Sequence, residues 1–178
     1  MPRETVPTSL APITSIGELI RELLREQDVS QYGEILARYG FPTTDLMPYL
    51  RWNQRHYTRT CVVRNEKFEL LVICYEPEQR TSIHDYDSAS AWIITLMGEV
   101  VEDRFQRERD GSIRLKQASR LTAGATVELT RENSIHRFAN PGPARAITLN
   151  LYAPPMSQWR VYDERTGAAH VREAGPPR

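Results

Sequence analysis

From residue 56 onward the chain breaks into short runs of alternating apolar and polar residues, and this period of two limits the fold more than any other feature. "HYTRTCVV", "FELLVICYE", "TSIHDY", "SAWIITLMGEVVEDRF", "SIRLKQASRL", "ATVELT", "SIHRFAN", "RAITLNLYA" and "WRVYD" read as successive strands. Between them "RNEK", "RDGS", "TAG", "REN" and "NPGPA" supply the Gly, Asn, Asp and Pro chemistry of turns. Many short strands at such spacing specify an all-β sandwich or barrel.

Ahead of the strands, "SIGELIRELLREQ" opens with Ser15 and carries Glu18 three residues later, the pattern of a capping box. Ile16, Leu19, Ile20, Leu23 and Leu24 then fall on one helical face. A second helix is expected through "QYGEILARYG", stopping at Gly40, and a short turn or helix in "TTDLMPYL". The expected organisation is a flexible leader (1–14), a helical cap (15–55), a β-barrel (56–165) and a loose tail (166–178), forming a single domain.

With 178 residues the chain can bury a full core without staples. Its 23 Lys and Arg balance 23 Asp and Glu, which argues against nucleic acid or an anionic membrane as partner. No signal-peptide h-region is visible, and the apolar run "AWIITLM" is too short to span a bilayer, so a cytoplasmic protein is expected. Cys61 and Cys74 form no CxxC motif and read as small buried hydrophobes.

The chemistry concentrates on a few strand positions. His84 and Tyr86 are two apart in "IHDY" and face one way; His136, Phe138 and Asn140 align in "HRFAN". Thr148, Asn150 and Tyr152 share one side of their strand, opposite Ile147, Leu149 and Leu151. Tyr57 and Arg59 share a side as well, with His56 pointing away. A barrel could therefore enclose Arg59, Tyr57, Tyr152, His84, His136 and Asn150. A buried arginine wants an anion: either a substrate carboxylate or a barrel carboxylate such as Glu69. Asp85 and Asp87 fall on the face opposite Tyr86, where solvated or turn-capping roles suit them, although a bulge at "DSAS" would swing Asp87 inward.

In "YTR" (57–59), "FELLVICY", "SIHD", "LMGEVVEDRF" with Gly98, "SIHRFANPGPARAITLNLYAPP" and "VYD", taken in that order, the chain resembles the thiol dioxygenases of the cupin superfamily, in particular type I cysteine dioxygenase, over about residues 15–163. The resemblance implies a cupin barrel (a double-stranded β-helix or jelly roll). It also implies Fe(II) held by histidines, O2 as co-substrate, and a small thiol amino acid as partner, L-cysteine first. Carried over, His84 and His136 match two iron ligands, Arg59 the carboxylate-binding arginine, Tyr57 its pocket neighbour, and Tyr152 the tyrosine beside substrate and oxygen.

The departures are specific. Tyr86 stands where the second histidine of an HxH pair belongs. Asn150 and Thr148 replace the histidine and serine of a Ser–His–Tyr relay, and Ala91 replaces the cysteine that crosslinks to the tyrosine in animal members. Three outcomes compete for Tyr86: a phenolate ligand to the metal, a group swung aside from a two-histidine site, or the mark of a lost metal. The expected activity is oxygenation of a small thiol carboxylic acid, to the sulfinate or a diverted product, by a monomer or weak dimer. The alternatives are a metal-free cupin that binds a ligand or regulates a partner, and a cupin isomerase or lyase using another divalent metal.

Overall fold

The computed structural model describes residues 11–131 and 135–173. The strands form two antiparallel sheets, as the alternation predicts. One sheet holds β1 (Thr58–Arg64), β2 (Glu69–Tyr75), β9 (Ala146–Ala153), β4 (Ser90–Met97) and β7 (Thr126–Thr130), in that order. The other runs β11 (Ala169–Glu173), β10 (Gln158–Tyr162), β3 (Ile83–Tyr86), β8 (His136–Ala139), β5 (Glu99–Arg107), β6 (Ile113–Thr122).

The first sheet is buried on both faces, which is why β2 and β9 read as almost continuous apolar runs. Leu70, Val72 and Cys74 of β2, with Ile147, Leu149 and Leu151 of β9, face outward onto α1 (Ile16–Arg25) and α2 (Tyr32–Ala37). Leu71, Ile73 and Tyr75 face inward, where they meet Ile93, Val100, Leu129 and Phe138. The helical cap thus covers one face of the sheet, and the other face is the barrel wall. Cys61 and Cys74 are both free thiols; Cys74 is buried as the strand pattern suggests, whereas Cys61 is only partly buried.

The capping box at α1 is displaced by one residue. Ser15 accepts from the Glu18 amide at 3.1 Å, but Glu18 reaches back to the amide of Thr14 at 3.0 Å. The Asp45 carboxylate takes the amides of Ile16 and Gly17, at 3.1 and 3.0 Å, and so ties the loop before the barrel to the helix start. Helix α2 ends at Ala37, short of Gly40, because Tyr39 leaves the helix to pair with Ile13.

The single strand expected over 90–105 is two strands in two sheets. Gly98 turns the corner with φ +72°, and a Cβ there would lie 2.5 Å from the carbonyl oxygen of Arg145. The segment expected as a loose tail contributes β11, paired to β10 along its length. Of the expected flexible leader, residues 1–10 lie outside the described residues, while Ile13 is fully buried. Residues 132–134 and 174–178 also lie outside them.

Candidate functional site

A small cavity, open to solvent at one end, lies in the barrel between the two sheets. Strand alternation decides what lines it. The inward positions of β1 supply Arg59, with Tyr57 just before the strand; β9 supplies Asn150 and Tyr152; β3 and β8 supply His84 and His136. Ile73, Phe138 and Met156 form apolar wall, and Trp159 of β10 stands near the mouth.

His84 and His136 are cross-strand partners in the β3–β8 register, with ring centroids 4.5 Å apart. His84 Nδ1 lies 2.8 Å from the Ser82 carbonyl oxygen, which fixes Nδ1 as the donor and leaves Nε2 as the lone-pair nitrogen. Burial, reinforced by the positive charge of Arg59 and opposed by the Ser82 hydrogen bond, holds the His84 imidazole below its usual pKa, in its neutral form. A neutral imidazole with a fixed tautomer is the state in which histidine binds a metal.

Tyr86 lies beside the pair, its ring 5.5 Å from His136 and 5.0 Å from Tyr152, centroid to centroid. Its hydroxyl is buried and makes no hydrogen bond. Burial, with the negative charge of Glu102 acting the same way, pushes the phenol well above its ordinary pKa despite the nearby Arg104. Without a cation beside it, Tyr86 is therefore a neutral phenol whose oxygen has no partner. Among the described residues no three of His, Cys, Asp and Glu converge as a metal cage.

On β9 a chain of hydrogen bonds runs up the inner face. The Thr148 hydroxyl donates to the Asn150 amide oxygen at 2.8 Å, and Asn150 Nδ2 donates to the Tyr152 hydroxyl at 3.3 Å. Burial raises the Tyr152 pKa, against the opposing influences of Arg59 and of the Asn150 bond, so the phenol keeps its proton and can donate it into the cavity.

Arg59 does not pair with Glu69, the partner that the sequence leaves open; Glu69 is bound instead by Arg64 at 3.0 Å. Asp85 is not solvated. It is 3% exposed and takes Arg160 Nε at 2.9 Å and the Tyr162 hydroxyl at 2.9 Å on the outer face of β3. Asp87 stays outside too, accepting from the amides of Ser157 and Gln158, so no bulge turns it inward. His56 is exposed and bonds to the backbone of Tyr57.

Alternation along β5 hides two more inward residues. Glu102 sits opposite Phe138, and Arg104 opposite His136, and the two form a 3.0 Å ion pair behind the histidines. They share a side with Val100, and that parity is the signal that could have placed them. Trp159 and Met156 carry no signal before the sheet register is known.

The family model for cysteine dioxygenase type I matches residues 2–165. Cysteine dioxygenase type 1 of Danio rerio is 27% identical over 145 residues, covering 79% of this chain and 72% of that protein. The Homo sapiens protein of the same name is 27% identical over 162 residues, covering 86% and 81%. A solved double-stranded β-helix protein of Klebsiella pneumoniae superposes with TM-score 0.54 at 17% identity, covering 75% of this chain and 92% of that one. A Thermus thermophilus protein does so with TM-score 0.53 at 20% identity, covering 63% and 96%. The Klebsiella pneumoniae structure identifies the fold as a double-stranded β-helix, and the Thermus thermophilus structure shares it.

Proposed function

The chain belongs to the cysteine dioxygenase type I family, and from that premise we propose that it uses non-haem Fe(II) and O2 to oxygenate the sulfur of a small thiol carboxylic acid, L-cysteine first. Family membership makes it a dioxygenase of the oxidoreductase class. Among the described residues no helix is long and apolar enough to cross a membrane.

The observation that carries the proposal is the pairing of His84 and His136, 4.5 Å apart, in the same cavity as Arg59, a cation with no carboxylate partner among the described residues. The histidine pair fits iron, with a neutral imidazole whose Nε2 is available and a second imidazole in register with it. Tyr86 does not line this cavity, but its ring packs against His136 and its hydroxyl has no hydrogen-bond partner, which makes it the candidate third donor. Iron held there supplies a site at which a thiolate and O2 can exchange electrons.

The rest of the work falls to the chain. Arg59 offers a planar fork to the substrate carboxylate. Tyr57 lines the pocket beside it, stacked on the buried Tyr75 with centroids 5.9 Å apart. Tyr152, kept protonated by its burial and oriented by Asn150, donates a hydrogen bond to the oxygen being transferred. Ile73, Phe138 and Met156 limit water around the sulfur. Both atoms of O2 end on sulfur, the thiol proton is released, and the product is the sulfinate.

The direct test is oxygen uptake by iron-loaded protein on adding L-cysteine, with the product identified by mass spectrometry. A one-to-one ratio of O2 consumed to sulfinate formed is expected. Binding of the acid without oxygen uptake would favour a metal-free binding module instead.

A further inference from the structure

We propose that Trp159 is a positioning residue that holds Arg59 for the substrate carboxylate and so sets the preference for acids over plain thiols; this rests on the proposed carboxylate role of Arg59. Arg59 lies near the cavity mouth and is itself solvent-exposed, and a free arginine side chain has many rotamers. The acid nearest to hand, Glu69, is engaged by Arg64. The contact that Arg59 does make is with the indole of Trp159, whose ring centroid lies 5.5 Å from the guanidinium carbon. A guanidinium lying over an indole keeps its N–H edge open for a carboxylate, which an ion pair with Glu69 would not.

The indole is held in turn by strand geometry. Trp159 pairs with Tyr86 in the β10–β3 register, so its side chain points to the same face as His84 and Tyr86. The next residue, Arg160, points the other way and closes on Asp85, fixing β10 against β3. One strand thus locks outward through residue 160 and presents Trp159 inward, on the wall opposite Arg59. Trp159, which contacts Arg59, and His84 thus stand on the paired strands β10 and β3.

The test measures anaerobic binding by calorimetry to wild-type, Trp159→Ala, Trp159→Phe and Arg59→Ala proteins, using L-cysteine and cysteamine, its counterpart without a carboxylate. Trp159→Ala should weaken L-cysteine binding about two- to fivefold, the range of a solvent-exposed cation–π contact, and leave cysteamine binding essentially unchanged. Trp159→Phe, which keeps a ring face, should recover most of the loss. Equal weakening of both ligands would mean that Trp159 only shapes the cavity, and unchanged L-cysteine binding would mean that Arg59 needs no help; either result overturns the inference. Wild-type protein that binds neither ligand, or binds both equally, overturns it together with the carboxylate clamp. Because the readout is binding, protein that binds L-cysteine but consumes no oxygen leaves the inference standing while the oxygenase proposal falls.

Discussion

Asn150 Nδ2 donates to the hydroxyl of Tyr152 across 3.3 Å, while its own amide oxygen is taken by Thr148. All three residues are buried, so the chain has no solvent to replace a lost member. Asn150→Leu keeps the volume but strips the buried Tyr152 hydroxyl of its donor. That should cost about 1–3 kcal/mol in denaturant unfolding and lower kcat about tenfold or more through loss of orientation. An amide does not titrate near neutral pH, so Asn150→His should add an ionisation to the kcat profile, displaced by burial to the acid side of an ordinary imidazole.

Asp85 is the outward anchor of the strand that carries His84 and Tyr86. Replacing it with Asn removes a buried charge that binds Arg160 and the Tyr162 hydroxyl. Breaking one side of such a network should cost about 2–3 kcal/mol. For a chain of this length that is a fall in Tm of roughly 5–10 °C, measurable by calorimetry or circular dichroism. Asp85→Glu, which restores the charge at the wrong length, should recover only part of it.

Acid stability should depend on Asp45. Burial pushes its carboxyl up, but the hydrogen bonds from the Ile16 and Gly17 amides outweigh that, and its pKa sits below the ordinary carboxylate value. A group depressed in the folded state stabilises fully above its unfolded pKa, about 3.9, and loses that contribution as pH falls through the folded value. Asp45→Asn should therefore be less stable than wild type by about 1 kcal/mol at pH 6–7. The gap should close below about pH 4, as read from urea unfolding at a series of pH values.

Gly98 should tolerate no side chain. A Cβ would sit 2.5 Å from the Arg145 carbonyl oxygen on a backbone already at positive φ, at the corner where β4 passes to the other sheet. Gly98→Ala should destabilise by about 2 kcal/mol or more, whereas Gly124→Ala, also at positive φ but with open space around it, should cost only about 1.

Much of this was legible because strand alternation is a local rule. The parity of Thr148, Asn150 and Tyr152 could be read from "TLNLY" alone, and the two IH dipeptides placed His84 and His136 on inward faces. What alternation cannot say is which strands are neighbours. That is why Glu69 remained a possible partner for Arg59 until β1 and β2 were seen to match it with Arg64, and why Trp159 acquired a role only through its register with Tyr86. The corner at Gly98 was read through because the apolar pattern continues across it while the chain changes sheets. Strand β11 leaves no mark in the hydrophobic pattern, because its residues are exposed and its order comes from pairing with β10.

The central claim is that His84, His136 and Tyr86 hold iron. Its most direct test is anaerobic titration of metal-free protein with Fe(II), followed by exposure to air and a visible spectrum. The account predicts one iron per chain in the wild type, loss of that binding in His84→Ala and in His136→Ala, and a broad charge-transfer band on oxidation that disappears in Tyr86→Phe. Wild-type protein that takes up no iron, or histidine variants that bind it as tightly as wild type, would contradict the account.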